Sequence, residues 1–254
     1  MSAVAPPRRI PLAVPVAIAL AWAVAIAAEA SGVAHGLHHD GLLEGGPPVW
    51  AALLLFVVSW QLMTVAMMLP SSLPLVRLFW AASRRRGALA AFLSGYGVVW
   101  ASFGVAAFAG DALLHQLVHA LPALEQRPWP IGGAVLVAAG AFQFTSLKEA
   151  CLEKCRHPGV FLMSKYRRGA GAAFRLGREH GVFCVGCCWA LMLVMFAAGF
   201  ANLVWMAVLA AVMAYEKIAR RGRALTPVLG AALASWGAVV LAHPAWLPAA
   251  LGGP

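Results

Sequence analysis

The chain has 254 residues, of which 62% are hydrophobic and only 11% charged, and its formal net charge is +10. A soluble protein carries about 25% charged residues, so too little polar surface is present to clothe a water-soluble globule. The basic residues sit between apolar stretches rather than in one patch, so they read as topology signals and not as a nucleic-acid footprint.

Apolar runs of about 20 residues, enough to cross ~30 Å of hydrocarbon, recur along the chain. The sequence predicts an all-α polytopic membrane helix bundle, a single transmembrane domain over residues 1–254 in contact with a lipid bilayer. Seven helices are expected, over 10–33, 49–69, 88–110, 131–150, 181–199, 202–218 and 225–243. The first follows Arg8-Arg9 and is longer than the core of a signal peptide, with no cleavage site standing out of its alanine-rich run, so it reads as a retained helix. The second is expected to kink at Pro70 and continue to Trp80, because an internal proline removes one helical hydrogen bond. A single helix from Gly181 to Ile218 would be ~57 Å long, too long for one crossing. Gly199 and Asn202 mark the place for a turn.

Charge orients this scheme. With the N-terminus cytoplasmic, the inner segments hold every basic residue except Arg127, as the positive-inside rule requires. The expected location is a bacterial-type cytoplasmic (inner) membrane. The longest connection, 151–180, becomes a cytoplasmic loop, and its mixture of aromatic and basic residues suits a membrane surface.

All five cysteines fall in two helix-spaced sets, Cys151/Cys155 and Cys184/Cys187/Cys188. Residues three or four apart share a helix face, and in this topology both sets lie at the cytoplasmic end. Small buried helix contacts are the alternative, but the clustering favours metal or redox chemistry. Disulfides do not suit a reducing compartment. Met63, Met67 and Met68 lie at the same predicted depth, and thiolate with thioether selects Cu(I) over harder ions. Zn(II) is the alternative ion, since several thiolates also hold zinc. Cys184, Cys188, Met192 and Met195 form a stripe that descends ~16 Å, a candidate metal path if it is not packing.

Gln61, Gln143, Thr145 and Asn202 are polar groups at membrane depth, informative there unless they only bridge helices. Glu216-Lys217 either pairs with a neighbour or marks the interface. On the outer side, Asp111, His115 and His119 are spaced by four, and His35, His38, His39, Asp40 and Glu44 crowd one loop. These groups suit Cu(II) or Zn(II), with a solvated histidine belt as the alternative. The chain has no phosphate loop and no metalloprotease motif, and no haem-attachment motif.

The runs Met67-Met68-Leu69-Pro70, Phe142-Gln143-Phe144-Thr145-Ser146-Leu147-Lys148, Cys151-Leu152-Glu153-Lys154-Cys155-Arg156-His157-Pro158 and Cys184-Val185-Gly186-Cys187-Cys188-Trp189-Ala190-Leu191-Met192 resemble a bacterial family of integral membrane proteins described as metal-binding, a domain of unknown function. Asn202-Leu203-Val204-Trp205-Met206 and Glu216-Lys217 follow its pattern too, and Phe142 stands where the family has tyrosine. Several members are named copper chaperones, thought to help load copper oxidases. The resemblance spans about residues 49–218 and implies copper delivery; the outer histidines are not part of it.

The sequence therefore favours a Cu(I)-binding membrane protein that transfers copper to or from a partner protein over an enzyme, without deciding against enzymatic activity. Two alternatives stay open. One is a membrane thiol–disulfide oxidoreductase, because Cys184-Val185-Gly186-Cys187 has redox spacing. The other is a metal-stabilised assembly subunit of a membrane complex.

Overall fold

The computed structural model describes residues 10–32, 47–121, 124, 129–198 and 203–243. Among them nine helices form: α1 (Ala13–Ala30), α2 (Val49–Ser83), α3 (Arg86–Ala120), α4 (Trp129–Phe142), α5 (Ser146–Arg156), α6 (Pro158–Lys165), α7 (Ala170–Ala198), α8 (Leu203–Ile218) and α9 (Gly222–Ala242). The all-α expectation holds, but the count of seven crossings is corrected. Five helices (α1, α2, α3, α7 and α9) are long and apolar enough to cross a membrane, six if α4 and α5 make one bent span. Alone, α4 and α8, with 14 and 16 residues, are each shorter than the ~20 residues a crossing takes.

The corrections have local causes. The expected helix 131–150 breaks after Phe142, and α5 leaves α4 at 65°. Thr145 makes the break: its hydroxyl donates to Phe142 O (2.8 Å) and accepts from Lys148 N (3.2 Å), which starts α5 with an N-cap. The predicted loop 151–180 is instead largely helical, built of the end of α5, all of α6 and the start of α7. Helix α3 runs ten residues past its predicted end at 110, because Asp111, His115 and His119 ride on added helical turns. The predicted turn at Gly199 and Asn202 falls between α7 and α8, outside the described residues.

Helix α2 continues through both Pro70 and Pro74. Pro70 has no N–H to give the carbonyl four residues back, Ala66 O. The indole Nε1 of Trp22 on α1 supplies that bond instead, at 3.0 Å. A Trp22→Phe variant leaves the buried carbonyl without a partner, which costs about 1–3 kcal/mol. The expected result is a lower unfolding temperature in detergent, whereas Trp50→Phe, at an exposed position, changes nothing measurable.

Helices α2 and α3 form an antiparallel hairpin around the two-residue turn Arg84-Arg85, where Arg84 adopts φ +47° at the helix end. Along it Trp60 packs on Trp100 and Phe103, Phe56 on Phe108, and Gln61 Nε2 donates to Gly97 O at 2.8 Å. Helices α3 and α7 press backbone to backbone, since Gly95 and Gly177 leave no room for a Cβ against Phe174 O and Phe92 O. Helices α4 and α9 meet in the same way at Gly140 and Gly237, which leave no room for a Cβ against Gly230 O and Gly133 O. Small residues at helix interfaces are how bundles pack where no hydrophobic drive separates helix from lipid. Outside, apolar side chains stay exposed: on α1 Val16, Leu20 and Val24 form one uncovered stripe. An apolar surface of that extent fits contact with acyl chains rather than water.

Candidate metal centre

The bend between α4 and α5 lays α5 against α7, and this crossing brings the two cysteine sets together. Cys155 Sγ of α5 stands 3.9 Å from Cys187 Sγ of α7. Two sulfurs bound to one ion at ~2.3 Å each stand no more than ~4.6 Å apart, so this pair is already within bridging distance. On the next face of α7, Cys188 Sγ lies 3.5 Å from Met68 Sδ of α2 and donates to Cys184 O at 2.7 Å. Cys187 Sγ donates to the same carbonyl at 3.2 Å. The thiols therefore hold fixed rotamers through bonds to their own helix.

Cys184, Cys187 and Cys188 are at most 1% exposed, and Cys151 is buried as well. Cys151 Sγ fits against Gly186, where a Cβ would come within 2.6 Å of the sulfur. A Gly186→Ala variant is expected to push α5 off α7 and widen the Cys155–Cys187 gap. Cysteine cross-linking with a short bifunctional maleimide reads the gap directly, and its yield should change while helix content does not.

The methionines converge on the same region. Seven of the nine lie in one buried cluster with the thiols: Met63, Met67, Met68, Met192, Met195, Met206 and Met213. The sequence reading found the first five. Met206 and Met213 on α8 escaped it because their helix was placed without its rotation being known.

Three further groups were missed as parts of this site. Tyr96 of α3 places its hydroxyl 3.2 Å from Cys184 Sγ. Lys217 of α8 turns into the cluster: its Nζ stands 3.2 Å from Cys184 Sγ, 3.2 Å from Ser71 Oγ, 3.9 Å from Met68 Sδ and 4.0 Å from Cys188 Sγ. His180 of α7 is buried, stacks on Tyr96 and Phe92, and shares a hydrogen bond with Ser72 Oγ at 3.1 Å. Of these only Lys217 had a sequence signal, a charge at membrane depth. It had been counted among the topology charges, as had Lys148. Both are at most 5% exposed and belong to the core. Lys148 Nζ pairs with Glu216 Oε2 at 2.8 Å, and Thr226 donates to Glu216 Oε1 at 2.9 Å.

The other candidates resolve differently. Gln61 bridges helices and Thr145 caps one, both structural roles. Gln143 donates Nε2 to Ala139 O at 3.0 Å and lines a cavity of ≈ 240 Å³ beside Lys148 and Arg223. On α3, Asp111 and His115 form an i, i+4 pair at 3.7 Å, and the ring Nδ1 also meets Asp111 O at 3.0 Å. Among the described residues no three His, Cys, Asp or Glu side chains stand close enough to hold a metal ion by themselves. Asp111, His115 and His119 thus make no such group, and His35, His38 and His39 lie outside the described residues.

A membrane-scaled helix bundle with thiols and thioethers gathered in its dry core belongs to the class of soft-metal-handling proteins. Comparison with known families makes this particular: residues 57–240 match the PpoB2 family, described as a copper chaperone, and the chain belongs to that family. No curated protein and no solved structure matches it.

Proposed function

We propose that the protein is embedded in the bacterial inner membrane, takes up Cu(I) at a sulfur centre formed by Cys155, Cys187, Cys188 and Met68 with Cys151 and Cys184 beside them, and passes the ion to a partner copper protein. The observation that carries this reading is the Cys155–Cys187 approach of 3.9 Å between two helices, with the Cys188–Met68 approach of 3.5 Å next to it. Paired sulfurs of this kind suit an ion that accepts two or three soft ligands, so copper can pass between neighbouring pairs by ligand exchange without being released. Buried Met63, Met67, Met192, Met195, Met206 and Met213 continue the soft surface along three helices. Family membership supports copper as the cargo. The thiol–disulfide alternative fits less well, because reactive redox cysteines are partly exposed and Cys184 and Cys187 are at most 1% exposed.

The direct test is the metal content of protein purified in mild detergent under reducing conditions from copper-supplemented cells, with X-ray absorption at the copper edge. The expected result is copper in a shell of sulfur alone. Zinc in that shell, or copper bound only through nitrogen and oxygen, would refute the proposal.

A further inference from the structure

The core around the thiols contains an unbalanced cation. Lys148 and Glu216 cancel each other at 2.8 Å. Lys217, 5% exposed, has no carboxylate within ion-pair range among the described residues; its neighbours are Cys184, Cys188, Met68 and the Ser71 hydroxyl. Ser71 donates its own proton to Met68 O at 2.8 Å, which leaves the oxygen lone pairs facing the ammonium. The ammonium is thus seated, not stray. A buried ammonium is costly unless a negative charge answers it, and among the described residues the acidic groups it touches are the thiols of Cys184 and Cys188.

We infer that Lys217 is the built-in counter-cation of the loaded centre, and that it selects a singly charged soft ion over a doubly charged one. This rests on the sulfur-centre reading above. When two thiols bind Cu(I), each gives up its proton to water. The bis-thiolate complex then carries one net negative charge, and with Lys217 the buried assembly is neutral. The same two thiolates around Zn(II) form a neutral complex, so Lys217 would remain as an uncancelled buried positive charge. Zinc would need a third thiolate to restore the balance, whereas the closest sulfurs stand as two pairs, Cys155–Cys187 at 3.9 Å and Cys188–Met68 at 3.5 Å, and among the described residues no group of three His, Cys, Asp or Glu is placed to hold an ion. Lys217 does not touch the ion; it positions charge for it, and it sits on α8, apart from the two helices that carry the cysteines.

The test compares wild type, Lys217→Gln and Lys217→Arg in detergent, with Cu(I) and Zn(II) affinities each measured by competition against a chromophoric chelator. Lys217→Gln should lower Cu(I) affinity about 10–100-fold, the range for residues that support metal ligands. Its Zn(II) affinity should hold or rise, and Lys217→Arg should keep the wild-type preference. Equal losses for both metals, or an unchanged preference, would overturn the inference. If the glutamine variant does not fold, Lys217→Met, which keeps the length of the side chain without its charge, takes its place with the same expected and overturning outcomes. Wild type that binds no Cu(I) sinks the sulfur-centre reading itself, whereas copper binding that ignores Lys217 sinks only the charge role.

Discussion

Cys187→Ser is expected to lower copper affinity about a hundredfold, and with it the copper retained through purification, while leaving the helix content intact. Four-ligand metal sites are worth ~10–16 kcal/mol, so one ligand carries about 3 kcal/mol, roughly a hundredfold in affinity. Cys187 is the residue of α7 whose sulfur meets a sulfur of α5, by its 3.9 Å approach to Cys155. Cys155→Ser should therefore cost as much. The double variant should cost little more than either, because two groups that act as a unit are not additive. Cys151→Ser should have a smaller effect, since that thiol packs on Gly186 rather than closing the pair. Copper-to-protein ratios by mass spectrometry measure all four, and a Cys151→Ser loss larger than that of Cys187→Ser would move the centre.

Glu216→Gln is expected to be strongly destabilising. Glu216 answers Lys148 at 2.8 Å and accepts from Thr226 at 2.9 Å, with Lys148 and Glu216 both about 1% exposed. Neutralising it leaves Lys148 and Lys217 as two uncompensated cations in one core. Breaking a buried pair from one side costs about 3–5 kcal/mol, a fall on the order of 10 °C in unfolding temperature for a protein of this size. Replacing both partners, Lys148→Met with Glu216→Leu, should recover most of that loss, because an apolar pair removes the desolvation cost along with the attraction. Thermal unfolding in detergent followed by circular dichroism reads both. A double variant no better than Glu216→Gln would mean that the pair does more than cancel charge. Arg156 reinforces the same corner: its guanidinium donates to the carbonyls of Glu216, Ala219 (2.8 Å) and Arg220 (3.3 Å), which caps the end of α8.

The all-α class, the apolar spans and the five cysteines were legible along the chain, because hydropathy and i, i+4 spacing are local properties. The count of spans was not, since a hydropathy window cannot see the Thr145 cap that turns 131–150 into two helices at 65°. Helix rotation and crossing are likewise set by packing between elements distant in sequence. That is why Cys155 could be named but not paired with Cys187, why Lys148 was read as a topology charge, and why Lys217, counted with it, was left between pairing with a neighbour and marking the interface. Only the approach of α2, α5, α7 and α8 turned those lysines inward. By itself the sequence supplied the cysteines and five of the methionines as candidates for a soft ion. The tertiary structure decided which of them meet and which charge stands beside them, because burial and Coulomb energy depend on distance in space rather than along the chain.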